Sequence, residues 1–407
     1  MNAVPPPHPS LHRREFVAFV AAIMAVNALG VDLMLPALPA IGHELGIASA
    51  NARQWIVTAY IFGFGLGQLA YGPLADRFGR KPVLLITLAG FVAASLFAAG
   101  AQTFAALLVA RLLQGLMSAS TRVLAVAIVR DSYSGRQMAR ISSLAQMIFF
   151  LVPIVAPSLG QGLLTLGPWR FIFYALGAFA AVVLSWALVR LPETLPVARR
   201  RPISIASLTQ AYRETLTNRY SIGYALAGSL TFGGIIAFVS SAQQVFTDTF
   251  HAGARFTLLF GLCALAMGSA AFANSRLVER LGTRVISQAG VLALIALSLA
   301  HMLIARLGLE TLGVYVLFQA LSMACIGLCG SNFGAMAMQP VGHIAGTASS
   351  VQGFITSIGA VAAGSIIGQA YDGTTFPLAL GYLCIGIGAL AIVLVVERGR
   401  LFRPHVE

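Results

Sequence analysis

Long apolar runs, separated by short polar segments, fill most of the chain. Each run has about 20 mostly apolar residues, the length at which an α-helix crosses the hydrocarbon core of a bilayer. Because an open strand cannot satisfy its backbone groups in lipid, we expect every run to be helical. The pattern predicts an all-α integral membrane protein with twelve spans, near residues 16–40, 54–73, 83–101, 104–129, 140–165, 169–189, 220–244, 255–275, 284–305, 311–336, 344–369 and 376–396.

The longest polar stretch of the chain lies between the sixth and seventh runs, at residues 191–219. It divides the spans into two sets of six. We predict a disordered cytoplasmic tail at residues 1–15 and a six-helix bundle at 16–190. A cytoplasmic linker at 191–219 leads to a second six-helix bundle at 220–397, and a cytoplasmic tail follows at 398–407.

The two sets of spans repeat each other in sequence. "LADRFGRK" begins at Leu74 after the second span, and "LVERLGTR" begins at Leu277 after the eighth. In the same way, "RLLQGL" in the fourth span matches "VLFQAL" in the tenth. Parallel six-helix repeats are a known plan of membrane transporters, in which the substrate binds near the middle of the bilayer where the repeats meet.

Basic residues lie mainly on one side of the predicted membrane. The loops of the other side contain only Arg53, Arg170, Arg255 and Arg306, so both termini are expected in the cytoplasm. The chain is 58% hydrophobic and only 10% charged, with a mean hydropathy of +0.85. The surface of a soluble protein needs far more charge. The net charge of +13 therefore indicates topology and contact with anionic lipid, and no nucleic-acid partner is expected.

The strongest motif, "YGPLADRFGRKPVLL", follows the second span. Its characteristic positions are Gly72, Leu74, Asp76, Arg77, Gly79, Arg80 and Lys81. In this order they resemble the loop signature of the major facilitator superfamily. The glycines permit a tight turn, and Asp76 can face a helix N-terminus and also accept from an arginine. We predict that Asp76, Arg80 and the nearby Asp131 form a cytoplasmic charge cluster that favours the outward-open state.

Further segments resemble the bicyclomycin/chloramphenicol-resistance group of drug:proton antiporters. They are "DLMLPALPAIG", "RLLQG", "VRDSYSG", "PIVAPSLGQGL" and "WRFIF". The resemblance implies the two-bundle fold, drug export driven by inward proton flow across the bacterial inner membrane, and a central cavity lined mainly by spans 1, 4, 7 and 10. The segment with Pro153, Pro157 and Gly160 matches only part of the antiporter signature, and the prolines could instead serve only to kink the fifth span.

Asp32 is the only carboxylate deep inside a span, because the others lie in loops, in tails or near span ends. An ionisable residue within the membrane is costly and indicates a function. Burial favours the neutral form of a carboxyl group, which suits a proton carrier. We predict that Asp32 exchanges a proton for substrate. The alternative is that Asp32 only compensates a buried arginine.

That arginine is Arg111 in the fourth span. Asp32 is expected about eight residues from the outer end of its helix, and Arg111 about seven residues from the same membrane face, so the two lie at similar depth. We predict that the pair couples proton movement to transport if the first and fourth helices adjoin. Arg111 could instead bond to backbone carbonyls of the first helix, and both arrangements could occur in different states.

Polar residues recur every three to four positions in the fourth span and therefore share one helix face. They are Arg111, Gln114, Ser118 and Arg122. Arg122 is either a substrate contact special to this chain or the partner of a carbonyl. The predicted substrate cavity comprises Asn27, Tyr60, Gln114, Ser118, Arg122, Gln146, Phe232, Tyr315, Gln319 and Ser322. Its remaining walls are apolar and aromatic, which suits small neutral or cationic amphiphiles.

Three functions were open to a chain of this pattern: a proton-coupled exporter of small amphiphiles, a transporter of a metabolite such as a nucleoside, amino acid or sugar, and a membrane enzyme or receptor. The third needs a catalytic or metal-binding cluster. The seven histidines are scattered, and no GxSxG, HExxH or Walker motif occurs. We predict a monomeric transporter, not an enzyme, that is driven by the proton gradient and needs no metal or other cofactor.

Overall fold

A computed structural model describes residues 11–133, 135–200 and 205–402 of the chain. The described residues form fourteen α-helices, joined by turns and short 3-10 or π segments. They are α1 Arg13–Asp32, α2 Leu38–Glu44, α3 Trp55–Phe78, α4 Arg80–Ala99, α5 Phe104–Ser132, α6 Gly135–Leu166, α7 Arg170–Arg190, α8 Ile205–Thr217, α9 Arg219–Gln244, α10 Phe256–Leu281, α11 Thr283–Arg306, α12 Leu312–Met338, α13 Ala345–Gln369 and α14 Phe376–Val396.

All long helices correspond to predicted spans. Twelve of the described helices have 20 or more residues, and only α2 and α8 are shorter. Nine described stretches are long and apolar enough to cross a membrane, by length and composition, and one of these, Leu312–Gln369, contains both α12 and α13. The prediction of an all-α integral membrane protein is therefore confirmed.

Polar caps at equivalent places begin two helices of the repeat. The Thr103 hydroxyl accepts a hydrogen bond from the Ala106 amide at the start of α5. The Thr311 hydroxyl accepts one from the Val314 amide at the start of α12. Such caps satisfy amides that have no partner within the helix. Because α5 and α12 are the fourth spans of their sets, the shared cap agrees with the internal repeat.

The first span differs from the prediction of one helix over 16–40. Helix α1 ends at Asp32, and a 3-10 turn at Leu35–Ala37 precedes the short α2. Pro36 explains the break, because proline has no amide hydrogen and disfavours a helical conformation in the residue before it. Asp32 is therefore the last residue of α1, although the apolar span that contains it continues to Glu44.

The chain forms two compact units. The first comprises the chain up to Ala37 together with Ala59–Leu208, and the second comprises Leu38–Thr58 together with the chain from Thr209. In the first unit, α1 packs against α5, α6 and α7, and α4 packs against α5 and α7. In the second unit, α9 packs against α12, α13 and α14, and α12 packs against α10 and α11.

Amide side chains hold residues 38–58 within the second unit. The Gln54 Nε2 atom donates to Gln244 Oε1 at 2.6 Å and to the Gly368 carbonyl at 2.9 Å. The Asn51 Nδ2 atom donates to the Tyr371 carbonyl at 2.8 Å, and its Oδ1 accepts from Gln244 Nε2 at 2.9 Å. A segment that was predicted as part of the first bundle thus shares its polar contacts with α9 and α13.

The predicted linker at 191–219 contains regular structure that its polar composition did not indicate. It includes a 3-10 turn at Val197–Arg199 and the whole of α8. Ala211 and Thr215 are buried, whereas Arg213 is exposed. Because residues four apart share a helix face, α8 has one packed and one polar side. The predicted tails fall partly on residues 1–10 and 403–407, which lie outside the described residues.

Candidate functional site

Asp32 lies buried at the C-terminal end of α1, with 5% of its surface exposed. Within the described part of the chain, its carboxyl group accepts no hydrogen bond and forms no ion pair. Unpaired carboxylates are costly to bury, because the charged form loses its hydration. A carboxyl group in such a place is suited to take up and release a proton.

Arg111 is completely buried in α5 and reaches across to α1. Its Nη2 atom donates to the Gly30 carbonyl at 2.8 Å, and its Nη1 atom donates to Gln114 Oε1 at 2.7 Å. The guanidinium also lies 4.4 Å from the centre of the Tyr60 ring, a favourable cation–π distance. In this conformation Arg111 therefore bonds to a backbone carbonyl of the first helix. This is the alternative to the predicted pairing of Arg111 with Asp32.

The network continues from Arg111 to α4. The Gln114 Nε2 atom donates to Ser95 Oγ at 2.7 Å, and the Ser95 hydroxyl donates to the Phe91 carbonyl at 2.7 Å. Ser95 was not among the predicted site residues. A serine inside the third apolar run was the one signal that could have found it, but serine can satisfy its own helix backbone anywhere in a span.

A second set of contacts joins α1, α3 and α5 about two turns along α5 from Arg111. The Tyr60 hydroxyl and the Ser118 hydroxyl both donate to Asn27 Oδ1 at 3.2 Å. All three side chains are buried. The structure thus brings together Asn27, Tyr60, Arg111, Gln114 and Ser118, all of which were predicted from the sequence.

The predicted antiporter segment packs directly behind Asp32. Pro153 and Pro157 lie within α6, and α6 packs against α1. A Cβ atom built on Gly160 would collide with the carbonyl of Leu33, and Leu33 is the residue that follows Asp32. Only glycine therefore allows α6 to approach the end of α1 so closely. This segment shapes the backbone around the carboxyl group.

Two predicted cavity residues of the first unit stand apart from this network. Arg122 is exposed, one turn beyond Ser118 on α5, and makes no hydrogen bond or ion pair with the described residues. Gln146 belongs to α6, but its side chain lies outside the described residues.

The predicted face of α12 packs within the second unit. The Gln319 Nε2 atom donates to the Tyr382 hydroxyl of α14 at 2.8 Å. Tyr315 is buried with its ring 5.5 Å from that of Phe246 and 6.0 Å from that of His301. Tyr382 and His301 were not predicted. Two further predicted residues of this unit are Ser322, which is buried, and Phe232, which is half-buried.

The predicted cytoplasmic charge cluster is present as a set of contacts in the first unit. The Arg80 Nη1 atom lies 2.6 Å from Asp76 Oδ1, and its Nε atom donates to Asp131 Oδ2 at 3.0 Å. Arg80 is buried, with 4% of its side chain exposed, so both carboxylates compensate a desolvated charge. The role of this cluster in gating stays a prediction.

Glu193, beyond the end of α7, completes the cluster in a way that was not predicted. Its carboxylate accepts from the Arg80 amide at 2.9 Å and from the Lys81 amide at 3.3 Å. Glu193 therefore occupies the N-terminus of α4, a place that the motif also allowed for Asp76. Negative charge is favoured there because the first amides of a helix lack partners.

The other motif positions support this turn. Gly79 has a φ of +102°, and a Cβ atom at this position would also collide with the Glu193 carboxylate. The Lys81 Nζ atom donates to the Leu188 carbonyl at 2.9 Å. Arg77 is exposed and lies 5.4 Å from the centre of the Phe78 ring, and Gly72 is half-buried in the last turns of α3.

The second unit contains a counterpart of the cluster. Gly282 has a φ of +79°, like Gly79, and precedes α11. The Arg284 Nε atom lies 2.9 Å from Glu397 Oε1, and Tyr224 donates to the same carboxylate. Glu397 follows the sixth span of its set, as Glu193 does. The matching geometry agrees with the repeat of "LADRFGRK" and "LVERLGTR".

Comparison with known proteins gives similar chains of transporter type. The chain is 31% identical over 396 residues to an uncharacterized MFS-type transporter, YdgK, of Bacillus subtilis, with 94% of this chain and 96% of that protein covered. It is 28% identical over 395 residues to a bicyclomycin resistance protein homolog of Haemophilus influenzae, with the same coverage. It is also 28% identical over 344 residues to the multidrug resistance protein MdtL of Klebsiella pneumoniae, with 83% of this chain and 84% of that protein covered.

Solved structures with little sequence identity share the fold. The D-xylose–proton symporter superposes with a TM-score of 0.73 at 14% identity, covering 95% of this chain and 98% of the other. The human organic anion transporter MFSD10 gives a TM-score of 0.64 at 21% identity, with 94% of this chain and 99% of the other covered. The family model of the Major Facilitator Superfamily matches residues 20–364. The loop motif, the two six-helix sets and these matches lead to one conclusion: the chain belongs to the major facilitator superfamily.

Proposed function

We propose that this protein exports small amphiphilic drugs, neutral or cationic, in exchange for protons. The observation that carries the proposal is Asp32, a buried carboxyl group without a hydrogen-bond partner among the described residues, placed two residues beyond the carbonyl that Arg111 binds. The names of two relatives, a bicyclomycin resistance protein homolog and the multidrug resistance protein MdtL, support drugs as the substrates.

Antiport follows if proton and substrate compete for the same site. When Asp32 is protonated, its burial costs little and a cationic substrate is weakly held. When Asp32 is ionised, it attracts a cation or strengthens the polar network around Arg111 and Gln114. Each ligand then weakens the binding of the other by the same factor, which is the thermodynamic condition for exchange. Alternating access converts this competition into export. No metal or organic cofactor takes part in the proposed cycle, and its energy comes from the proton gradient.

Proton release on substrate binding tests the proposal. Purified protein in weakly buffered solution is mixed with a panel of cationic and neutral drugs, nucleosides, amino acids and sugars, and the pH change is recorded. We expect cationic amphiphiles to release protons from the wild-type protein and not from Asp32→Asn. Release that occurs only with a metabolite, or that is unchanged in Asp32→Asn, would overturn the proposal.

The proposed location is the bacterial inner membrane, with both termini and the linker in the cytoplasm. The basic bias of the loops supports this orientation. Cysteines introduced at Gln210 and Leu309, both exposed, lie in the linker helix and in an opposite loop. A membrane-impermeant maleimide added to intact cells should label Leu309→Cys and spare Gln210→Cys, and the reverse result would contradict the orientation. We also propose a monomer as the working form, since each chain carries both repeats and its own buried network.

A further inference from the structure

Arg122 is a charged side chain in the middle of the membrane-spanning helix α5, and no described residue neutralises it. It lies ten residues before the end of α5 at Ser132, or about 15 Å along the helix axis. No hydrogen bond or ion pair links it to any described residue. Asp131, at the same end of the helix, is already bonded to Arg80.

The surroundings of Arg122 indicate a water-filled recess. The guanidinium lies deep among protein atoms, yet the residue is exposed to solvent. Ser118, four residues earlier and about 40° from Arg122 around the helix axis, is buried against α1. A charge that faced lipid there would be costly. Arg122 therefore lies on the side of α5 that faces away from lipid.

The same side of α5 carries the candidate site. Ser118, one turn earlier, donates to Asn27 in the buried network. Val126, one turn later, is 56% exposed and offers apolar surface next to the guanidinium. The recess thus combines a cation with an apolar wall, within one helical turn of Ser118.

We propose that Arg122 binds an anionic group of the substrate, a carboxylate or a sulfonate, and thereby extends the substrates to amphiphilic acids. A planar guanidinium with free donors matches such groups in charge and in geometry. Binding would give this deep charge the counter-ion that the described chain does not provide. The inference deepens the proposed export function and depends on it.

Two fluorescent probes that differ by one charged group allow a direct test. N-phenyl-1-naphthylamine is uncharged, and 8-anilinonaphthalene-1-sulfonate carries a sulfonate on the same ring system. Initial rates of proton-driven transport are measured at several concentrations of each probe, in proteoliposomes of uncharged lipid. The wild-type protein, Arg122→Gln and Arg122→Lys are compared. Arg306→Gln, which removes an exposed arginine from the end of α11, controls for the loss of one positive charge.

We expect Arg122→Gln to raise the KM for the sulfonate about tenfold or more, the effect of losing a hydrogen bond to a charged group. Its KM for the uncharged probe should not change. Arg122→Lys should keep part of the affinity for the sulfonate, and Arg306→Gln should behave as wild type. An equal effect of Arg122→Gln on both probes, or no transport of the sulfonate by a wild-type protein that transports the uncharged probe, would overturn the inference and leave the export function intact. Transport of neither probe would count against both.

Discussion

Arg111 bonds to the backbone of α1 at Gly30, 2.8 Å away, and not to the carboxyl group of Asp32 two residues later. The arginine is therefore held in place whether Asp32 carries a proton or not. This arrangement leaves the carboxyl group free to change its protonation without losing an ion pair.

Asp32→Asn should abolish uphill export, because asparagine keeps the shape of the side chain but cannot release a proton. Residual substrate binding should become independent of pH between about 5 and 8, the range into which burial can move the titration of a carboxyl group. Transport against a substrate gradient in proteoliposomes, and binding at a series of pH values, measure the two effects.

Asp372→Asn provides the matched control for that substitution. Asp372 is exposed in the loop before α14, and hydrogen bonds from the Thr374 hydroxyl and amide lower the pKa of its carboxyl group. It is therefore ionised throughout the tested range and should not contribute to the pH dependence. Unchanged uphill export by Asp32→Asn would mean that Asp32 is structural and that coupling occurs elsewhere.

Arg111→Lys should reduce the transport rate about tenfold or more. Lysine keeps the charge but cannot reach the Gly30 carbonyl and Gln114 Oε1 together, and each lost bond to a charged group costs about 1.5–3 kcal/mol. The control is Arg170→Lys, because Arg170 also donates to a backbone carbonyl, that of Ala101, but at the start of α7. Equal rates in both variants would show that the Arg111 geometry does not matter for transport.

The two acidic partners of Arg80 should differ in importance. The Asp131 side chain is 16% exposed and that of Asp76 is 47% exposed, so the Asp131 bond is the less screened by water. We expect both Asp131→Asn and Asp76→Asn to slow transport while substrate binding is retained. The transport rate of Asp131→Asn should be the lower of the two. Stopped-flow transport and equilibrium binding on the same preparations separate the two steps.

Glu279→Gln controls for these acidic substitutions, because Glu279 occupies the position of Asp76 in the repeated motif but forms no ion pair with any described residue. It should transport at nearly the wild-type rate. Wild-type transport by both Asp76→Asn and Asp131→Asn would refute a gating role for the cluster.

Gly160→Ala should destabilise the protein by about 1–3 kcal/mol, the usual cost of overpacking a close contact. The added methyl group would collide with the Leu33 carbonyl and force α6 away from the end of α1. Gly162→Ala is the control, since a Cβ atom at Gly162 meets no atom within 4 Å. The midpoints of thermal unfolding in detergent should differ between the two variants. Equal midpoints would contradict the proposed close packing.

Several features of this protein were determined by the sequence alone, because they depend on local composition. Spans follow from about 20 apolar residues in succession, whatever their neighbours. The loop motif needs a positive φ at Gly79 and an acid beside a base, and both requirements are readable within eight residues. Asp32 stood out because a carboxylate in an apolar run is costly in any fold.

Only the tertiary structure decided which distant groups became partners. Glu193 reaches the N-terminus of α4 from beyond α7. Ser95 on α4 accepts a hydrogen bond from the side-chain amide of Gln114 on α5. Residues 38–58 group with the second unit through Gln54 and Gln244, which are 190 positions apart. Hydropathy and spacing describe one helix at a time. The partner of a buried polar group depends on which helices adjoin and at what depth, and that is a property of the packed chain.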